Sequence, residues 1–379
     1  MADVINRFGG AYMAEHGASI PYAHIKAMRA ITRCRTPAAG GHVLECDSCG
    51  DQTYAYHSCR HRACTRCGKG ANDAWADRRR NELLPVRYFQ VVFTVPKCVA
   101  RLIRKHQRVL YPIFIKASGE TLKKMARNPK RLGGELGIMT VLHTWTRQLK
   151  YHPHTHNMVP AVYINPDGDV CEVDKPYLFP HKALAKLFKG KLLAMMKAAV
   201  DGLQVPRSAY IKKWVVHVEQ PSHGDDIVLG YLARYIHRTA LSDRCILKVE
   251  GEKVHFSYRS DDRKGWKTMC LRGREFLRRF LQHVVPQGLH RVRYFGFWNA
   301  NSRHDLADIK ATLLKRKVIK PPPAPTPEAL AEAELAPKEL PKCACCDKGR
   351  LFILRLLDRD SINYPGPAAL YGARQSRAP

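Results

Sequence analysis

Two histidines stand at strand spacing in front of an apolar run. His154 and His156 lie in the stretch YHPHTHNMVPAVY, and His152 shares their parity. Residues two apart in a strand project from the same face, so two neutral imidazoles placed in this way can share one metal ion. Pro153 has no N–H to give to a sheet, so we expect His152 to lie just outside it. A solvated polar stretch is the alternative interpretation.

Cysteine pairs near the N-terminus have the spacing of zinc ligands. Six of the 13 cysteines lie between positions 34 and 67. Two Cys-x2-Cys pairs, separated by fourteen residues, supply four thiolates that can close a tetrahedron around Zn²⁺. The predicted ligands of this structural zinc ion are Cys46, Cys49, Cys64 and Cys67. The sequence leaves open a second zinc site, whose candidate ligands are Cys34, His42 and Cys59.

The charge of the chain predicts a polyanionic partner. The 379 residues include 64 Lys and Arg against 33 Asp and Glu, a net charge of +31 spread along the whole sequence. Such a charge favours nucleic acid, because each neutralised phosphate releases condensed counterions. No stretch approaches the ~20 apolar residues of a membrane span, and MADVINRFGG lacks the apolar centre of a signal peptide. We therefore expect a cytoplasmic protein with no membrane partner.

Composition divides the chain into four regions. Residues 1–75 hold the Cys/His cluster, and residues 76–318 alternate apolar runs with amphipathic stretches. Residues 319–342 are rich in Pro and Ala and are predicted to be a linker. Residues 343–379 begin with CACCDKG, half of a zinc site, and are predicted to be a partly disordered tail.

The large region is predicted to be of the α+β class, with an antiparallel sheet and helices on one face. Strands are expected at 88–95, 154–164 and 210–219, and a hairpin is expected at 245–258. Helical patterns cover 108–126 and 225–238. Tyr231 and Tyr235 lie four apart on the second of these helices, within an apolar stripe whose ordinary role is burial. Their periodicity alone does not make them nucleophiles.

Three stretches together resemble the two-tyrosine HUH rolling-circle transposases, the insertion sequence ninety-one family. They are CRTPAAGGHVLECDSCG with SCRHRACTRC, then LHTWTRQLKYHPHTHNMVPA, and YLARYIHRTALSD followed by FLRRFLQHVVPQGLHRVRYFG. With ELLPVRYFQVVFTVP, the resemblance covers about residues 24–300. Thr155 departs from the family, which has a large apolar residue between the paired histidines. The C-terminal CACCDKG also departs, since the family's knuckle normally runs into glycines.

The resemblance implies a function for each matching residue. His154 and His156 would hold Mg²⁺ or Mn²⁺ on the central strand of the sheet, after a Zn²⁺-binding N-terminal domain. Tyr231 and Tyr235 would attack DNA phosphates and form 5′-phosphotyrosine links during rolling-circle transposition of an insertion sequence. The DNA would be single-stranded element ends and target, and the protein would act in the cytoplasm of a prokaryote, in association with the nucleoid. Mg²⁺ prefers oxygen ligands, so a third protein group is expected, and the candidates are His152, His143 and Gln148.

Other functions fit parts of the same sequence. A replication initiator or relaxase of the HUH class would use the same chemistry. A catalytically inactive, zinc-dependent DNA-binding protein would keep the zinc cluster and bury its tyrosines. A nuclease with three carboxylates would hydrolyse DNA directly and form no covalent adduct with it.

Overall fold

A computed structural model describes residues 1–67, 82–222, 239–260, 265–302, 306–316, 340–346 and 348–359. Its helices are α1 (Ala2–His16), α2 (Tyr22–Arg33), α3 (Lys97–Lys105), α4 (Gln107–Ala126), α5 (His181–Ala199), α6 (Arg207–Ile211), α7 (Gly273–Leu281) and α8 (Leu306–Arg316). Its strands are β1 (Gly41–Cys46), β2 (Gln52–Tyr56), β3 (Tyr88–Thr94), β4 (Glu135–Leu136), β5 (Ile138–Trp145), β6 (Tyr151–Pro160), β7 (Val162–Ile164), β8 (Val170–Glu172), β9 (Val216–Ser222), β10 (Ile246–Glu250), β11 (Lys253–Arg259), β12 (Trp266–Arg272), β13 (Val292–Phe295) and β14 (Leu351–Leu357). No helix within these ranges is both long and apolar enough to cross a membrane.

The central sheet has five strands in the order β13-β5-β6-β3-β9, and every neighbouring pair is antiparallel. β6 lies in the middle. Apolar side chains on one face of this sheet pack against α4 and α5, where the rings of Phe93 and Phe188 are 4.5 Å apart. Helices therefore cover one face of an antiparallel sheet, as the sequence predicted.

Thr155 lies on the helix-covered face and is fully buried. Its hydroxyl is 2.8 Å from the hydroxyl of Ser118 in α4, and the Asn157 side-chain amide donates to it at 3.3 Å. Asn157 in turn accepts a hydrogen bond of 2.7 Å from Thr140 in β5. The threonine that departs from the family pattern is thus satisfied by a buried polar network, which a hydroxyl in such a position requires.

The N-terminal part of the chain packs on the 241–284 region rather than standing apart. α1 and α2 share a hydrophobic cluster with the β10–β11 hairpin and α7, in which Phe8, Ile31, Phe256 and Phe276 are buried. The ring of Phe8 occupies the space that a side chain at Gly273 would need. A second sheet has the order β14-β1-β2, so the C-terminal strand pairs with the N-terminal hairpin.

Several predicted elements are confirmed. β3, the β10–β11 hairpin and α4 lie where expected, and Gly251 at the hairpin turn has a φ of 51°. The strand expected at 210–219 begins later, at Val216, because α6 takes up its first residues. β6 begins at Tyr151, so His152 lies within the strand, opposite an irregularity between His143 and Trp145.

Other elements differ from the sequence prediction, or were predicted in parts of the chain that the structure does not describe. β5 was not predicted as a strand. Residues 351–357, expected in a tail, form β14. The predicted helix at 225–238 and most of the predicted linker lie outside the described residues.

We predict that Ser118→Ala and Thr155→Val each destabilise the protein by about 1–3 kcal/mol, because each leaves a buried hydroxyl with one partner fewer. The double variant should cost less than the sum of the two, since it removes both hydroxyls together. Denaturant-induced unfolding of the four proteins measures this coupling. Strictly additive free energies would show that the two hydroxyls do not depend on each other.

Candidate active site and cysteine clusters

Three imidazoles converge on the face of the central sheet opposite the helices. β5 pairs with β6 in a register that sets His143 directly across from His154, and His156 lies two residues further along β6. One ring nitrogen from each histidine lies within 4.8 Å of the others. The ring centroids of His143 and His156 are 4.7 Å apart, and those of His154 and His156 are 4.9 Å apart. Adjacent strands thus hold three potential ligands for one ion.

Hydrogen bonds orient the two rings on β6. Nδ1–H of His154 donates to the carbonyl of His152 at 2.8 Å, which leaves Nε2 as the nitrogen that can bind a metal. Burial lowers the pKa of His154 to about 4, so its ring is neutral at pH 7, the form that binds metals.

Gln90 of β3 contacts the second ring. Its side-chain nitrogen lies 2.8 Å from Nδ1 of His156, and its buried amide oxygen has no hydrogen-bond partner among the residues described here. If the side-chain amide of Gln90 rotates about its Cγ–Cδ bond, its oxygen and nitrogen exchange positions. The oxygen then accepts a hydrogen bond from Nδ1–H of His156. Gln90 then directs Nε2 of His156 toward the other two imidazoles, as a hydrogen-bond acceptor behind a metal ligand does.

An aromatic and basic cavity adjoins the histidines. Trp145 stacks on His143 at 4.5 Å between ring centroids, and it lines a small cavity together with Arg62, Thr239 and His283. Arg62 comes from the N-terminal cysteine segment, and its guanidinium donates to the carbonyls of Val285, Pro286 and Leu289. The N-terminal segment therefore forms part of the surroundings of the histidine site.

One of the three candidates for a third ligand lies beside the paired histidines. His143 joins His154 and His156. The ring of His152 is outside this group, and Gln148 lies in the turn between β5 and β6. The sequence feature that could have pointed to His143 is the run IMTVLHTW, which forms β5 and whose eight residues are all buried. The predicted nucleophiles Tyr231 and Tyr235 lie outside the described residues.

Eight of the 13 cysteines form two groups of four, and the grouping differs from the prediction. The first is Cys34, Cys59, Cys64 and Cys67, and the second is Cys46, Cys49, Cys343 and Cys346. The sulfur–sulfur distances of close pairs are 3.4 and 3.7 Å in the first group and 3.7 and 3.8 Å in the second. Zn–S bonds of about 2.3 Å give a tetrahedron with edges of about 3.8 Å, so both groups fit Zn²⁺.

The β1–β2 hairpin explains why the predicted set of Cys46, Cys49, Cys64 and Cys67 is wrong. Cys46 and Cys49 lie at the turn of this hairpin, whereas Cys59 and the residues after it follow the far end of β2. A five-residue strand such as β2 spans about 16 Å, too far for one ion to bridge. His42, predicted as a ligand with Cys34 and Cys59, lies outside both groups, and its Nε2 is 3.2 Å from Nε2 of His57.

In each group, hydrogen bonds favour the thiolate of one cysteine, the form that binds metal, whereas burial and neighbouring thiols raise the pKa of Cys34 and Cys49. The thiol of Cys59 lowers the pKa of Cys64 to about 5. The backbone N–H groups of Gly349 and Lys348 lower the pKa of Cys346 to about 6. Within the first group, the N–H of Cys59 also points at the sulfur of Cys34, 3.4 Å away.

Comparison with known proteins identifies related sequences. A family model described as "Putative transposase" matches residues 137–305, and one described as "Transposase zinc-binding domain" matches residues 4–95. The chain is 36% identical over 382 residues to "Putative transposase y4qJ" of Sinorhizobium fredii (strain NBRC 101917 / NGR234), covering 94% of this chain and 95% of that protein. It is 25% identical over 307 residues to "Transposase for insertion sequence element IS801" of Pseudomonas savastanoi pv. phaseolicola, covering 76% of this chain and 73% of that protein. No solved structure matches the chain.

These matches cover both kinds of site. The zinc-binding match includes all four cysteines of the first group, and the transposase match includes the three histidines. The N-terminal region is thus a zinc-binding domain, and the protein is an enzyme that acts on DNA. The chain belongs to the insertion sequence ninety-one family of transposases.

Proposed function

We propose that the protein cleaves and rejoins single-stranded DNA through 5′-phosphotyrosine intermediates at Tyr231 and Tyr235, and that it moves its insertion sequence by a rolling-circle route. The observation that carries this proposal is the convergence of His143, His154 and His156 on one face of the central sheet. One ring nitrogen from each of the three histidines lies within 4.8 Å of the others, which is the arrangement of ligands around a single metal ion.

The donor set bears on which divalent ion the histidines would hold. Imidazole nitrogens suit first-row transition ions, whereas Mg²⁺ prefers oxygen. With His143 as the third ligand, Mn²⁺ is therefore the better candidate of the two ions expected from the sequence. When bound, the ion would polarise the scissile phosphate and offset the charge that develops on it.

The proposed reaction needs no outside energy source. The Oη atom of one tyrosine attacks the phosphorus, the bond from phosphorus to the 3′ oxygen breaks, and that oxygen takes up a proton as the phenol loses one. The products are a 5′-phosphotyrosine and a free 3′-hydroxyl. Attack by a 3′-hydroxyl on the phosphotyrosine reverses these steps and joins a strand. A second tyrosine permits a second transfer before the first is resolved.

Tyr231 and Tyr235 belong to residues 223–238. The described residues on either side of this segment support its assignment to the histidine site. β9 ends at Ser222, on the edge of the sheet two strands from β6. The chain is next described at Thr239, which lines the cavity beside Trp145. The first described residue after the segment with both tyrosines thus belongs to the cavity beside the tryptophan that stacks on His143.

We predict that His143→Ala weakens Mn²⁺ binding at least about tenfold, as His154→Ala does, because each removes one ligand. His152→Ala is the matched control, since His152 lies on the same strand but outside the group. Calorimetric titration of the purified proteins with Mn²⁺ measures this. Wild-type affinity in His143→Ala, or an equal loss in His152→Ala, would refute the assignment of ligands.

We predict that replacing Tyr231 and Tyr235 together by Phe abolishes the covalent protein–DNA adduct and leaves DNA binding within about twofold, since only the attacking oxygens are removed. The control is Tyr177→Phe, at an exposed tyrosine outside the group of three histidines. Denaturing gels with labelled single-stranded oligonucleotides of the element ends detect the adduct. Its persistence in the double variant would show that other residues are the nucleophiles, and an inactive DNA-binding protein would form no adduct at all.

A further inference from the structure

The second cysteine group joins the two ends of the chain. Cys49 and Cys343 are 294 residues apart in sequence, and Cys46 and Cys346 are 300 apart, yet their sulfurs lie 3.8 and 3.7 Å from each other. All four are free thiols. The match to the zinc-binding domain ends at residue 95, so it includes only half of this group.

Two similar turns face each other across the four sulfurs. In the first turn the N–H of Ser48 points at the sulfur of Cys46, 3.4 Å away. In the second, the N–H groups of Cys345 and Gly349 point at the sulfurs of Cys343 and Cys346, at 3.3 and 3.4 Å. Backbone N–H groups aimed at sulfur stabilise thiolates, and four thiolates around one point repel each other unless a cation lies between them.

Gly349 brings the second turn close to the first. A Cβ atom at this position would overlap the sulfur of Cys46 and would lie 2.7 Å from Cβ of Ser48 and 2.8 Å from Oδ1 of Asp47. The same carboxylate oxygen accepts a hydrogen bond of 2.8 Å from the N–H of Arg350. The two turns therefore fit together as one unit in which no side chain separates the two cysteine pairs.

Apolar packing contributes little to the attachment of β14 to β1. β14 is an edge strand, and the side chains of Ile353 and Leu356 are 57% and 68% exposed. Burial of apolar area, which holds most strands in place, is thus small here. The interactions that hold β14 in place are therefore mainly its backbone hydrogen bonds to β1 and the cysteine group at the end of this strand pair.

We infer that Cys46, Cys49, Cys343 and Cys346 bind a second structural Zn²⁺, and that this ion fastens residues 340–359 to the N-terminal hairpin. Four thiolates select a soft, tetrahedral ion, which favours Zn²⁺ over the hard cations. The N-terminal zinc-binding domain is then completed by the end of the chain.

Zinc content and hydrogen exchange test this inference without any DNA assay, so its failure is distinct from that of the proposed nuclease function. In a His154→Ala background, which excludes zinc from the histidine site, the protein should contain two zinc ions. Cys343→Ser/Cys346→Ser should contain one, and its amides in β1 and β14 should exchange faster. Cys345→Ser, an exposed cysteine of the same turn outside the group, should keep two. A double variant that keeps its zinc, or that loses both ions, overturns the inference.

A second variant retains all four cysteines of the group. Gly349→Ala should lose one zinc ion to a chelator about tenfold faster than the parent, because the added methyl group displaces the Cys46 sulfur. Gly190→Ala is the control, since a Cβ atom there meets open space. Equal rates of zinc release in the two variants would show that the second turn does not approach an ion at Cys46.

Discussion

The antiparallel register of β5 on β6 is the constraint on which the candidate active site depends. Because side chains alternate between the two faces of a strand, a shift of one residue would turn His143 into the helix-covered core. Leu142 and Thr155, which face each other on the buried side, prevent such a shift. Core packing on one face therefore determines which imidazoles meet on the other.

The first cysteine group, the β10–β11 hairpin and α7 share one packed hydrophobic cluster. Cys34 and Cys64 are buried in the same cluster as Phe256 and Phe276. Arg66, next to Cys67, makes an ion pair of 2.9 Å with Asp243, which lies a few residues beyond the segment that carries the tyrosines. A zinc ion at this group would thus support both the cavity beside Trp145 and the chain that follows that segment.

Local patterns in the sequence were enough to find the elements but not the pairings between them. The His154–His156 spacing and the apolar run at 88–95 predicted the central strands, because alternation and β-branched content are local properties. The zinc ligands were grouped wrongly because the β1–β2 hairpin, whose polar residues hid its alternation, separates Cys49 from Cys64. Cys343 and Cys346 could not be assigned to Cys46 and Cys49, since a contact across some 300 residues leaves no mark on spacing.

The position of β1 between β2 and β14 has a consequence for biosynthesis. Translation proceeds from the N-terminus, so β1 and β2 leave the ribosome long before β14 is made. The nascent polypeptide therefore carries an open sheet edge at β1 until residues 351–357 emerge. If a copy of the insertion sequence encoded a protein truncated before residue 351, the edge at β1 would stay unpaired. It could then pair with strands of other chains.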